Sequence, residues 1–240
     1  MNWPALLSDL TPFDGIALGF FVASWLLIGW FTEHPPASRP SVSLLMQVYR
    51  REWMVQFVTR QPRIFDATIV DSLRQGISFL VSACLIAIGG GVAMIGNADR
   101  LLGLANDLTV VADTTAVVQA KLLLVVLLVT NAMLKLVWAH RLFGYCAILM
   151  AAVPNDPADP TARPRAQQAA EINIHGAKNF NKGLRSIYFS LGALGWLLGP
   201  AALCAATAAT LYVTWRREFA SRSREVLLRG ASSSAYTSDI

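Results

Sequence analysis

Residues 121–153 read KLLLVVLLVTNAMLKLVWAHRLFGYCAILMAAV, and this run decides the class of the molecule. Between residues 122 and 138 only Thr130, Asn131 and Lys135 interrupt aliphatic and aromatic side chains. A helix needs about 20 predominantly apolar residues to cross a bilayer. No proline follows before Pro154, so the helix is expected to overrun its span (121–138) as far as residue 153. At 1.5 Å per residue such a helix is about 50 Å long, too long for the hydrocarbon layer alone. The excess predicts a helix that protrudes from the membrane.

Three further runs, 13–31, 75–95 and 187–215, are also apolar enough to cross. The whole chain agrees: 55% of its 240 residues are hydrophobic, 15% are charged, and the mean hydropathy is +0.47. Soluble domains carry about 25% charged residues. These values exclude a disordered chain, a collagen-like chain and an ordinary soluble enzyme. The expected fold is all-α: an integral membrane bundle of about four transmembrane helices, with helices extending into a cytoplasmic layer. Residues 1–220 are expected to form one multi-pass membrane domain, and 221–240 a basic, flexible tail. The first run reads as a retained span, because no Lys or Arg precedes Arg39 while Asp9 and Asp14 do. Cys84, Cys146 and Cys204 lie in separate apolar runs and read as packing residues.

The basic residues set the orientation. Loop 32–73 carries Arg39, Arg50, Arg51, Arg60 and Arg63; loop 139–186 carries Arg141, Arg163, Arg165, Lys178, Lys182 and Arg185. Loop 97–120 has Arg100 beside Asp99, Asp107 and Asp113. Both basic loops are therefore expected in the cytoplasm, with the N-terminus and loop 97–120 on the other side. The tail breaks the pattern. Four simple spans would place Arg216, Arg217, Arg222, Arg224 and Arg229 outside. Either the tail is translocated behind a fourth span kinked at Gly199-Pro200, or that run re-enters as a hairpin broken there. The kinked span is the preferred reading.

The loops have structure of their own. Residues 41–60 place Leu45, Val48, Tyr49, Trp53, Phe57 and their neighbours at helical spacing. The resulting helix either lies on the membrane through its arginines or packs against the protein itself. The second helix is expected to begin near Asp66, where an acidic residue suits the helix dipole. Residues 154–164, PNDPADPTARP, form an irregular turn, and the fourth helix is expected to start near 165.

The segment FNKGLRSIYFSLGALGWLLGP at 180–200 resembles a bacterial membrane protein family, as do RREWM at 50–54, FDATIVDSLRQGISF at 65–79 and WRREF at 215–219. The family is the one catalogued as domain of unknown function 599. The resemblance spans roughly residues 15–220, with Asn181-x-Gly183-Leu184-Arg185 and the pair Tyr188-Phe189 as its marker. It implies a multi-pass protein of the bacterial inner membrane and supplies no catalytic residues.

Polar residues in and beside the spans are the candidates for function. Glu171, His175 and Asn179 fall four residues apart on one helix face. They read as a polar network between helices or a solvated face, since one histidine is a poor zinc site. Lys135 stands in the third run one turn after Asn131; it reads as a snorkelling or ion-paired lysine, with Asp66 or Asp71 as partner, or as part of a transport path. Asn181 and Arg185 complete the set. Gly15/Gly19, Ala83/Ala87/Gly91 and Gly195/Gly199 repeat at intervals of four, a spacing that permits close helix approach. Trp3, Trp25, Trp30, Trp138 and Trp215 fall near span ends as membrane anchors. No phosphate loop, HExxH or G-x-S-x-G elbow occurs, and the spread of basic residues does not suit nucleic acid.

The expected role is non-enzymatic, with no cofactor, metal or nucleic acid. Beyond the lipid bilayer, the expected partner is a second copy of the chain or another membrane complex. A small channel or transporter using Asn131 and Lys135 is the alternative. A membrane enzyme with Glu171, His175 and Arg185 at a cytoplasmic site is a third.

Overall fold

A computed structural model of the chain describes residues 10–100, 102 and 114–234, with side chains to residue 229. Seven helices are of interest: α1 Pro12–Glu33, α2 Val42–Thr59, α3 Ile64–Gly96, α4 Thr115–Ala151, α5 Ala162–Ala193, α6 Pro200–Phe219 and α7 Arg222–Ser234. Among the described residues there is no strand, so the fold is all-α. Three helices, α1, α3 and α4, are long and apolar enough to cross a membrane. The side chains explain why lipid is the solvent they suit. Only 6% of the most apolar window of α3 is buried in the protein, against 39% for α4. Ile86 and Phe79 of α3 are more than two-thirds exposed, an arrangement that water would penalise and lipid does not.

The chain divides into two compact units. The first comprises residues 1–30, 82–133 and 183–215; the second comprises 31–81, 134–182 and 216–240.

In the first unit, helix α1 begins with a capping box. The Thr11 hydroxyl accepts the Asp14 N–H, and the Asp14 carboxylate accepts from the Thr11 N–H and O–H. Pro12 takes the first helical position, where its missing N–H costs nothing. The core joins Ala17, Phe21 and Ile28 of α1 to Leu128, Phe189, Trp196 and Leu203. Phe21 and Phe189 meet edge to face at 5.5 Å.

The fourth run corrects the preferred expectation of one kinked span. Helix α5 ends at Ala193, a tight 3₁₀ turn runs through Leu194–Leu198, and α6 starts at Pro200. A Cβ on Gly192 would lie 2.9 Å from the Thr210 hydroxyl; one on Gly195 would lie 3.0 Å from the Ala202 carbonyl and the Ala206 methyl. Contacts between 192 and 210, and between 195 and 206, mean that α6 runs back antiparallel along the end of α5. The run is a hairpin. Gly199, at φ 110° and ψ 169°, makes the reversal in a region open essentially to glycine alone. The pair Gly195/Gly199 is explained by this close approach and turn. Gly91 packs on Val126, whereas Gly15 and Gly19 face open space.

In the second unit, α2 is capped by Ser41, which accepts the Leu44 N–H and donates to the Thr32 carbonyl. The expected boundaries near 41–60, Asp66 and 165 appear as α2, α3 and α5. The C-terminal segment departs from expectation: residues 222–234 form helix α7 rather than a flexible tail. Arg224 donates to the Pro40 carbonyl and the Tyr49 hydroxyl to the Leu227 carbonyl, so α7 is tied to α2. Residues 235–240 lie outside the described set, as do Trp3 and half of loop 97–120, residues 101 and 103–113.

Candidate functional site

In the second unit the expected face of Glu171, His175 and Asn179 exists, but its members do not converge on a ligand. His175 Nδ1 lies 2.7 Å from the Glu171 carbonyl and Asn179 donates to the His175 carbonyl, each one turn back along α5. Glu171 turns to Arg51 of α2 at 2.7 Å. That hydrogen bond, assisted by the charge of Arg51, holds the exposed Glu171 carboxyl below its ordinary range, against a smaller opposing effect of burial. The pair borders a cavity of about 690 Å³ lined also by Met54, Arg163 and Gln167. Among the described residues no three His, Cys, Asp or Glu side chains cluster as a metal site would.

Both α2 arginines, Arg50 and Arg51, bond to side chains of α5. Arg50 donates to Asn173, which is fully buried and donates in turn to the Cys146 sulfur. Burial lowers the pKa of the Arg50 guanidinium from its ordinary value. Asn181 donates to the Ser43 hydroxyl, and Ser43 gives its N–H and O–H to the Glu218 carboxylate, which ties α5, α2 and α6 together. Lys182 pairs with Glu33 at 3.0 Å. The packed reading of α2 is therefore the one that its contacts support. The cysteines are free thiols, with Cys84 and Cys146 buried.

Lys135 does not pair with Asp66 or Asp71. Asp66 is fully buried and accepts from Trp53 Nε1 at 2.6 Å and from Arg60. Asp71 accepts from Gln75. Lys135 is half-buried, with no hydrogen bond or ion pair among the described residues. Asn131, in the first unit, donates to the buried Ser186 hydroxyl at 2.8 Å. Arg185, also in the first unit, is 8% exposed, with its guanidinium 3.8 Å from where a Cβ on Gly29 would stand.

Sequence reasoning missed the most buried charged cluster. In the first unit, Asp14 Oδ1 accepts from Trp196 Nε1 at 2.7 Å while its second oxygen caps α1. Lys121 is 1% exposed, lies over the Trp196 ring at 5.8 Å and attracts Asp14. A signal was available: Asp14 and Lys121 each open an apolar run at ends expected on the same side of the membrane. Two opposite charges at one depth in lipid should pair. Trp196 was hidden because it lies inside its run rather than at an end, and only the hairpin brings it to Asp14.

The family described as "Protein of unknown function, DUF599" matches residues 16–223. The chain belongs to this family. No curated protein and no solved structure matches it. In this DUF599 chain the marker residues are engaged within the protein: Asn181 ties three helices, Arg185 is buried beside Gly29, and Phe189 fills the core against Phe21. With three exposed helices long and apolar enough to cross a membrane, it is a membrane-embedded protein of this family.

Proposed function

We propose that the chain is a non-enzymatic component of the bacterial inner membrane that works by association, with a second copy or with a membrane complex. One observation carries this reading: α3 shows almost all of its apolar length to the outside, and a Cβ added at Gly89 or Gly90 would meet no atom within 4 Å. A span held by so little of its surface, with glycines open to close approach, is suited to packing against another helix. Cross-linking tests it. A cysteine replacing Ile86 in native membranes is expected to form a dimer on oxidation, and Gly90→Leu to reduce that dimer. A chain that stays monomeric in both experiments contradicts the reading.

The orientation belongs to the same proposal: N-terminus outside, loops 32–73 and 139–186 in the cytoplasm. In this reading a hairpin puts the tail on the same side as the two basic loops, which removes its conflict with the charge rule. Of the 20 basic residues, 17 then fall in segments of the second unit; only Arg100, Lys121 and Arg185 fall in the first. The channel or transporter reading keeps one supporting feature, a Lys135 that has no ion pair among the described residues. Lys135→Ala without effect on ion or solute flux would end it.

A further inference from the structure

A cavity of about 580 Å³ opens in the second unit among α2, α3 and α5. Its size falls within the range of about 300–1,000 Å³ typical of small-molecule sites. Its walls are of two kinds. Arg50, Lys178, Gln47 and Asn181 supply two cations and two amides. Leu73, Ile77 and Leu80 of α3 with Phe180 of α5 supply an apolar side. The apolar side belongs to the stretch where α3 begins its membrane-crossing run, so an acyl chain entering from lipid meets it first.

The charges at the polar side are not balanced internally. Three other cations of this unit have carboxylates: Arg51 has Glu171, Arg60 has Asp66 and Lys182 has Glu33. Arg50 instead donates to a neutral amide, Asn173, and Lys178 has no ion pair within 4 Å among the described residues, its charge reaching the carboxylate of Glu171 only at longer range. The cavity's one carboxylate, Glu218, is engaged by the N–H and hydroxyl of Ser43. Gly76 lines the cavity, and a Cβ there would meet nothing within 4 Å, so the wall stays open at that point.

We propose that this cavity binds an acidic phospholipid, its anionic headgroup between Arg50 and Lys178 and the start of its acyl chain along Phe79 and Leu80. Basic pockets beside transmembrane helices on the cytoplasmic side recognise such headgroups. The anionic phosphate that the cations recognise is shared with a free phosphoester, and the apolar wall is what distinguishes the lipid.

The test uses the full chain in neutral detergent, with thermal midpoint and native mass spectrometry as readouts. Three probes are compared: phosphatidylglycerol, phosphatidylcholine with the same chains, and glycerol 3-phosphate. Phosphatidylglycerol is expected to raise the midpoint and persist as a one-to-one adduct, and the other two are expected to do neither. Lys178→Gln should weaken the adduct about fivefold. Gly76→Leu, which fills the open wall, should abolish it, and Arg51→Gln should leave it unchanged. Lys178→Gln gives its result independently of how well Gly76→Leu folds. Equal effects of the two phospholipids overturn the proposal, as does an adduct insensitive to both cavity substitutions. Protection by glycerol 3-phosphate equal to that by the lipid reduces the site to a free-anion site and overturns it too.

Discussion

The two units solve the same problem, where to put polar groups, in different ways. In the first, hydroxyls fold back on their own helix: Thr130 donates to the Val126 carbonyl, Ser190 to Ile187, Thr207 to Leu203 and Thr214 to Thr210. Two of its few charges, Asp14 and Lys121, are buried and gathered around Trp196. In the second, hydroxyls do the same, Thr68 to Ile64 and Ser78 to Arg74, but more polar groups also reach between helices: Arg51 to Glu171, Asn181 to Ser43, and Arg63 to the Val153 and Pro154 carbonyls at the end of α4. Arg63 thus places a cation where the helix dipole is negative. The proposed placement of the first unit in lipid and the second beside water accounts for the difference. In lipid an unsatisfied polar group costs several kcal/mol, so a local partner within one helix is the safest arrangement. Where water competes, each bond is worth less, and many cross-helix bonds together fix the packing.

Substitutions can break that comparison. The largest effect is expected at Trp196. Trp196→Ala empties part of the core and leaves the Asp14 carboxylate without its indole donor, a loss of about 3–5 kcal/mol read as a fall in the thermal midpoint in nanodiscs. A change no larger than that of Arg51→Ala would mean that the buried cluster carries no special weight. Asp66→Ala comes next. It takes the acceptor from both Trp53 and Arg60, and chemical unfolding should record a loss of about 1.5–3 kcal/mol. A neutral result would show that the second unit's buried carboxylate is dispensable.

Gly199→Ala forces a side chain into the glycine-only region at the hairpin turn, at about 1–3 kcal/mol. Limited proteolysis should then cut at the turn, and unchanged protection would argue against the reversal. The smallest effect belongs to Glu171 and Arg51. This exposed pair should contribute about 0–1 kcal/mol, screened by salt. The sign is fixed: the folded carboxyl titrates below its ordinary value of 4.5, so its contribution is present above that value and disappears as pH falls through the folded one. Glu171→Gln should remove this portion of the acid sensitivity, and a midpoint that falls just as steeply on acidification would refute the assignment.

Much of the helix inventory was legible. Residues 121–153 announced a helix too long for lipid, and α4 is 37 residues long. Spacing gave α2, and the lack of breakers gave the early starts of α3 and α5. The hairpin was the difficult part. Gly199-Pro200 marks a break equally well for a kink or a reversal, because a proline ends hydrogen bonding in both. What separates them is the approach of Gly192 and Gly195 to α6, a contact between helices that no local pattern encodes. The candidate polar residues were legible as a set and not as partners. Spacing placed Glu171, His175 and Asn179 on one face, yet the partner of Glu171 comes from α2, 120 residues away.

The central claim is that the hairpin returns the basic tail to the side that holds the two basic loops. A single cysteine tests it most directly: Ser233→Cys, in a chain with Cys84, Cys146 and Cys204 replaced by serine or alanine, treated with an impermeant thiol reagent. The account predicts no labelling in intact cells and full labelling once the inner membrane is opened. Labelling of intact cells would place the tail outside and contradict it.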